Sequence, residues 1–208
     1  MLISSLLERA IYIDFEGLRD EVPVLLGIRE HGKHVLSSLD YRLDAMVFST
    51  NGRIEDMHGC LDCLAKKVSE GNVIAGFSEH EARIFEEQGY PHLARTYVNL
   101  RPLFCRAFAH GSRGPNTLRR LEHMAGYWRH LDTPAFGVAP ILRQTMYHCN
   151  GRRFSDVGPV YQQDWVQLAN HNFHDCASLE WMLEKTRQLG YAVVPPACFR
   201  QGCCHVRL

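Results

Sequence analysis

Along residues 10–16 the chain runs Ala-Ile-Tyr-Ile-Asp-Phe-Glu, with Ile11, Ile13 and Phe15 alternating with Tyr12, Asp14 and Glu16. A period of two is that of a strand, whose successive side chains point to opposite faces. The pattern therefore predicts a strand over 10–16, with the apolar trio on one face and both carboxylates on the other. Val22 to Ile28 predicts a second strand, with Pro23 near its start. After the turn Arg29-Glu-His-Gly-Lys33, His34 to Ser38 returns antiparallel as a hairpin. Tyr41 to Ser49 is expected to be another strand.

The period then changes. Ile54, Met57, Leu61, Leu64 and Val68 recur at helical spacing and predict a helix over 54–69. Asn72 to Phe77 is a short apolar run of buried-strand type. Ser78 follows as a helix N-cap, with Glu81 three residues on in a capping-box pattern, for a helix to about Gln88. Thr96 to Leu100 is a short strand. After a Gly/Ser/Pro-rich break at 110–116, Thr117 to Ala125 is helical, and Ile141 to Tyr147 belongs to another helix. Asp156 to Pro159 is a loop. A long helical pattern runs from about Val160 to Leu189, with Gly190 as its stop. Hairpin strands first and helix-flanked strands later predict an α/β domain with a mixed central sheet flanked by helices. That domain is expected to span residues 1–190, leaving 191–208 as an irregular, cysteine-rich tail.

Composition narrows the class. With 208 residues, 46% of them hydrophobic, the chain can bury a full core. No apolar run approaches the roughly 20 residues of a membrane helix, and the first residues lack the pattern of a signal peptide. A soluble, cytoplasmic protein is expected, with no membrane partner. Eight cysteines in a chain of this length suit reduced thiols. The formal net charge is zero, which excludes polyanion binding by bulk field. The charge is unevenly spread, however. Between Arg101 and His130 stand Arg101, Arg106, Arg113, Arg119, Arg120 and Arg129 against the single acid Glu122, interleaved with Phe104, Phe108, Tyr127 and Trp128. Arginine with aromatics suits phosphate contacts and base stacking; a solvated helix face is the alternative.

The candidate chemistry lies at the two ends of the pattern. Asp14 and Glu16 repel each other on a strand that is otherwise core-like, and a cation is the usual compensation. Near the other end, His171-Asn-Phe-His-Asp175 sets His171 and Asp175 one helical turn apart on one face. Together they suggest a carboxylate cage for Mg²⁺ or Mn²⁺.

The strand with Asp14 and Glu16, the passage Val73-Ile-Ala-Gly-Phe-Ser-Glu-His-Glu81 and the helix with His171 and Asp175 resemble, in that order, the three motifs of DEDD-type 3′–5′ exonucleases. That family belongs to the ribonuclease H-like superfamily, and the RecB-like nuclease group is the most similar. Tyr97 to Phe104, Pro115 to Leu118 and Gly126 also resemble that group's linking region, and the likeness spans roughly residues 10–190. It implies a ribonuclease H-like fold and a 3′–5′ exonuclease that hydrolyses phosphodiester bonds with two metal ions. It further implies Asp14 as the bridging carboxylate, Glu16 as the second ligand on that strand and Asp175 as the last carboxylate. Glu81 stands where the family has an aspartate, one methylene longer. His171 stands at the spacing of a tyrosine in one branch, and its imidazole could take a proton from water as general base. His174, beside Asp175, should point off that face.

The implied partner is nucleic acid, DNA or RNA, single-stranded or with frayed ends, its backbone meeting Arg106, Arg113, Arg119, Arg120 and Arg129. Glu81 has a second reading, as the closing member of the capping box on Ser78. A ribonuclease H-like module that binds nucleic acid with little or no turnover is the first alternative. A small zinc-binding structural protein is the second, resting on Cys60 and Cys63 with Cys198, Cys203, Cys204 and His205.

Overall fold

The computed structural model describes residues 1–18, 22–109, 116–129, 138–195 and 198–199. In chain order the elements are α1 (Ile3–Arg9), β1 (Ala10–Glu16), β2 (Leu25–Glu30), β3 (Lys33–Ser38), α2 (Tyr41–Ser49) and β4 (Arg53–Ile54). There follow α3 (Met57–Ser69), β5 (Val73–Gly76), α4 (His80–Glu87), α5 (Pro91–Thr96) and β6 (Val98–Asn99). The chain continues with α6 (Arg101–Phe108), α7 (Leu118–Ala125), α8 (Val138–His148), a 3-10 turn at Phe154–Asp156, and α9 (Pro159–Gln188). The architecture is α/β with a mixed sheet of order β4-β3-β2-β1-β5-β6. Strands β2 and β3 are antiparallel, while β1–β5, β5–β6 and β3–β4 are parallel. Among the described residues no helix is long and apolar enough to cross a membrane.

Two compact units make up the chain. Unit one is Met1–Tyr12, Leu61–Tyr127 and Ser178–Leu208; unit two is Ile13–Cys60 and Trp128–Ala177. In unit one β1 runs parallel to β5 in the register Ala10 to Val73, and β5 carries the chain on to β6 through α4 and α5, which pack on each other. The end of the chain joins this unit. Val193 bridges Leu2 and Phe199 bridges Val98, two isolated contacts within the segment expected to be an irregular tail; residues 196–197 and 200–208 lie outside the described residues.

Unit two is built on the hairpin. Glu30 pairs with Lys33, and His31 and Gly32 between them have φ of 47° and 76°. Two positive φ angles make the tight turn whose twist matches that of the flanking strands, and glycine adopts one of them without strain. Strand β2 begins at Leu25 instead of Val22, because Pro23 has no N–H for the ladder. The core beneath the hairpin joins Val24, Leu25 and Leu36 to Leu43, Met46 and Val47 of α2, Leu142, Met146 and Cys149 near α8, and Trp165 and Leu168 of α9. Trp165 is fully buried and its indole N–H donates to Thr50 Oγ1 at 3.3 Å.

Two expectations are corrected. Residues 41–49 form the helix α2, not a strand. Asp40 caps it by accepting from Arg42 N at 3.0 Å, and Leu43, Met46 and Val47 make one buried stripe at helical spacing. That spacing gives apolar pairs three and four apart, which outweighs the β-type residues around them. Strand β1 is buried along both faces, and Tyr12 is as enclosed as Ile11 and Ile13. It stands between β2 and β5 in the sheet, so alternation does not divide it into an apolar and an open face. The helices α1, α5 and α6 were not anticipated. The expected helix over 54–69 starts at Met57, after the two-residue strand β4.

Candidate metal centre

All the residues of the candidate centre lie in unit two. The C-terminal half of β1 supplies Asp14 and Glu16, which are two apart and therefore share a face. The middle of α9 supplies His171, Asn172 and Asp175, which share a helical face at spacings of three and four. Glu16 is buried and Asp14, His171 and Asp175 are half-buried. His171 Nε2 lies 3.6 Å from Glu16 Oε1 and 3.4 Å from Asp175 Oδ2. One ligand atom from each of Glu16, His171 and Asp175 falls within 4.8 Å of the others, the one such group among the described residues.

Donor atoms set around a divalent ion at about 2.0–2.2 Å stand roughly 3–3.5 Å from one another. The two imidazole–carboxylate distances are close to that spacing, so this set fits one ion. Two carboxylates with one imidazole suit Mn²⁺ or Zn²⁺ as well as Mg²⁺. The two-ion arrangement implied by the resemblance would additionally take Asp14 and Glu81.

A cation of the chain itself also meets these groups. Arg129 Nη2 pairs with Asp175 Oδ1, and Arg129 Nη1 is 3.3 Å from His171 Nδ1. A guanidinium can only donate, so Nδ1 must be the accepting nitrogen and the ring carries its proton on Nε2, toward Glu16 and Asp175. An ion bound at Nε2 requires the opposite tautomer, with the proton on Nδ1. Arg129 and an ion on His171 are thus mutually exclusive partners of one imidazole.

Behind the carboxylates is a second network. Asn172 is fully buried, and its Nδ2 donates to Asp14 Oδ2 at 3.0 Å and to the Asp14 carbonyl at 3.2 Å. Its Oδ1 lies 3.1 Å from His34 Nε2, on β3. With Nδ2 committed to Asp14, the amide oxygen faces His34, which must be the donor. Burial lowers the His34 pKa, with Arg29 acting the same way and the Asn172 contact opposing, so a neutral donor ring is favoured. Phe173 packs edge-on against the His34 ring, with the Arg29 guanidinium over its own face. Gly27 of β2 lies against the Asn172 amide, and a Cβ there would overlap Asn172 Oδ1. The Cys176 thiol is fully enclosed, and burial, then the charges of Asp14, Asp175 and Glu16, push it well up. Asn172, His34, Gly27 and the inward role of Arg129 were missed from sequence. Asn172 alone left a signal, three residues before Asp175 on the same helical face.

Glu81 belongs to unit one, where its partners are local. Its Oε2 accepts from Ser78 Oγ at 2.8 Å and from Tyr97 Oη at 3.0 Å, and Ser78 Oγ accepts from His80 N at 3.0 Å. The contact with Ser78 joins two side chains and is not the reciprocal side chain-to-backbone pair of the expected capping box, and α4 has Glu79 instead of Ser78 at its N-cap. A Cβ at Gly76 would overlap Tyr97 Oη, so this glycine leaves room for the phenol. Burial raises the Glu81 pKa, against its own backbone N–H and the two hydroxyls. A carboxyl with a raised folded-state pKa contributes stability that is present below its unfolded value and lost as pH rises through the folded one. We therefore expect Glu81→Gln, which cannot ionise, to gain stability relative to wild type as pH rises above the ordinary glutamate range. Urea denaturation at a series of pH values reads this; a difference that does not change with pH would refute it.

The remaining candidates are more dispersed. Arg106 is exposed on α6, and its carbonyl accepts from Tyr191 Oη at 3.1 Å. On α7, Arg119 is exposed and Arg120 half-buried, with Arg120 N donating to the N-cap Thr117 at 3.3 Å. Arg113 lies outside the described residues. His174 is buried and meets Phe173 edge-on. Cys60 is buried with its Sγ 3.6 Å from Glu55 Oε2, and neither it, Cys63 nor Cys198 enters a ligand group among the described residues. Cys203, Cys204 and His205 lie outside the described residues. Compared with protein-family models, curated proteins and solved structures, the chain matches none.

Proposed function

We propose that this chain is a divalent-metal-dependent nuclease of ribonuclease H-like type, acting as a 3′–5′ exonuclease on single-stranded or frayed nucleic acid in the cytoplasm. The observation that carries the reading is the meeting of Glu16, His171 and Asp175, with ligand atoms within 4.8 Å of one another. A mixed sheet that opens with a hairpin and continues through parallel strands supports the same fold reading. Glu16 and Asp175 would hold the ion, with Asp14 beside them. A bound Mg²⁺ or Mn²⁺ supplies an activated water and charge for the departing alkoxide. Were the ion also held by His171 Nε2, the ring proton would sit on Nδ1 and Arg129 would lose that acceptor. A phosphate oxygen is the kind of partner a guanidinium then favours.

The test uses oligonucleotides labelled at either end, incubated with purified protein in Mn²⁺, Mg²⁺ or EDTA. Stepwise loss of the 3′ label in metal alone is expected. Binding without metal-dependent cleavage would overturn the enzyme reading in favour of a nucleic-acid-binding module. One observation favours that second reading: Arg129 already supplies the cation that Asp175 needs.

On either reading Arg119 and Arg120 meet the phosphate backbone. The double variant Arg119→Ala/Arg120→Ala should weaken binding across all sequences and flatten its salt dependence, since fewer counterions are released. Fluorescence anisotropy over a salt series measures the slope; an unaltered slope would make these arginines an ordinary solvated face.

A further inference from the structure

We infer that Asn172 is a positioning residue of the metal centre: its buried amide, held by His34 and given room by Gly27, sets the register of β1 against α9 and so brings Glu16 into reach of His171 and Asp175. The inference rests on the metal reading of that site. Its ground is the connectivity of one side chain. Asn172 adjoins His171 in the helix and stands three residues from Asp175, while its Nδ2 holds both the carboxylate and the carbonyl of Asp14, two residues from Glu16. A single amide therefore ties the two elements that carry the ligand group, from between His171 and Asp175 on α9 to a residue two positions from Glu16 on β1.

The amide is itself constrained on every polar atom. His34 Nε2 at 3.1 Å takes the oxygen, and Asp14 takes the nitrogen. An amide with its two ends swapped would set Nδ2 against the His34 donor and Oδ1 against a carboxylate and a carbonyl, so only one orientation satisfies all partners. Gly27 excludes nothing by chemistry; it acts by leaving volume, since any side chain on β2 at that position would fall where the amide oxygen lies. Partners that orient ligands in this way typically change metal affinity about 10–100-fold when removed.

The experiment is a Mn²⁺ titration of the full-length protein, read by electron paramagnetic resonance and calorimetry. Asn172→Ala should bind Mn²⁺ about 10–100-fold more weakly. Gly27→Ala should show a similar loss, and the double variant Gly27→Ala/Asn172→Ala no further loss, because both act through one amide. Leu168→Ala, a buried position on the same helix, is the control for mere destabilisation and should keep its Mn²⁺ affinity within about twofold. If Asn172→Ala does not fold, His34→Phe tests the same contacts: weaker Mn²⁺ binding supports the inference and unchanged binding overturns it. Wild-type protein that binds no Mn²⁺ would sink the metal reading and this inference together. Wild type that binds Mn²⁺, loses it in Asp175→Asn and keeps it in Asn172→Ala would overturn the role of Asn172 alone.

Discussion

Asp14→Asn should lower metal-dependent nucleotide release by several orders of magnitude while leaving the fold intact. The substitution keeps the shape of the side chain and removes its charge. The backbone carbonyl of residue 14 still accepts from Asn172 Nδ2, so the tie between β1 and α9 survives in part. What is lost is a negative charge beside Glu16 and Asp175, and with it a ligand oxygen of the kind a divalent ion needs. Single-turnover rates at saturating Mn²⁺ measure the effect, with a thermal melt to show that the protein is folded. Wild-type rates in Asp14→Asn would remove the carboxylate from the chemistry.

His171→Ala is the second large effect, with turnover expected to fall by roughly 10²–10⁴. The ring nitrogen lies 3.4 and 3.6 Å from the two carboxylates, which fits it either as a ligand or as a base but not both at once, since one lone pair cannot hold an ion and take a proton. Excess Mn²⁺ distinguishes the roles. A missing ligand weakens binding, and mass action restores occupancy when more metal is supplied; a missing base is not replaced by metal. The geometry predicts partial recovery at high Mn²⁺. Full activity in His171→Ala at ordinary Mn²⁺ would make the imidazole a bystander, and Arg129 would then have lost an acceptor without consequence.

The elements legible in the sequence are those whose reason is local. The strand 10–16, the hairpin about His31 and Gly32 and the long helix ending before Gly190 were each marked by their own periodicity or turn residues. Gly190 has φ of 89°, and Tyr191 N beyond it returns to Thr186 O, as a helix stop requires. Residues 41–49 were misjudged because β-prone types at helical spacing leave the local signal divided, and burial of Leu43, Met46 and Val47 against α8 and α9 decides it. For the site, the residue types and their order pointed to Glu16, His171 and Asp175. Glu81 carried two readings in one segment, and its carboxylate takes both hydroxyls of its own unit.

By itself, then, the sequence determined the strand that carries Asp14 and Glu16, the helix face that carries His171 and Asp175, and the α/β class. Each of these depends on backbone preferences and on residues within one or two turns. Only the tertiary structure decided what stands against those carboxylates. Arg129 reaches a histidine 42 positions away, and Asn172 reaches an aspartate 158 positions away. Charge compensation and the satisfaction of buried amides act through space over a few ångströms. No spacing along the chain encodes which arginine will neutralise Asp175 or which glycine will leave room for Asn172.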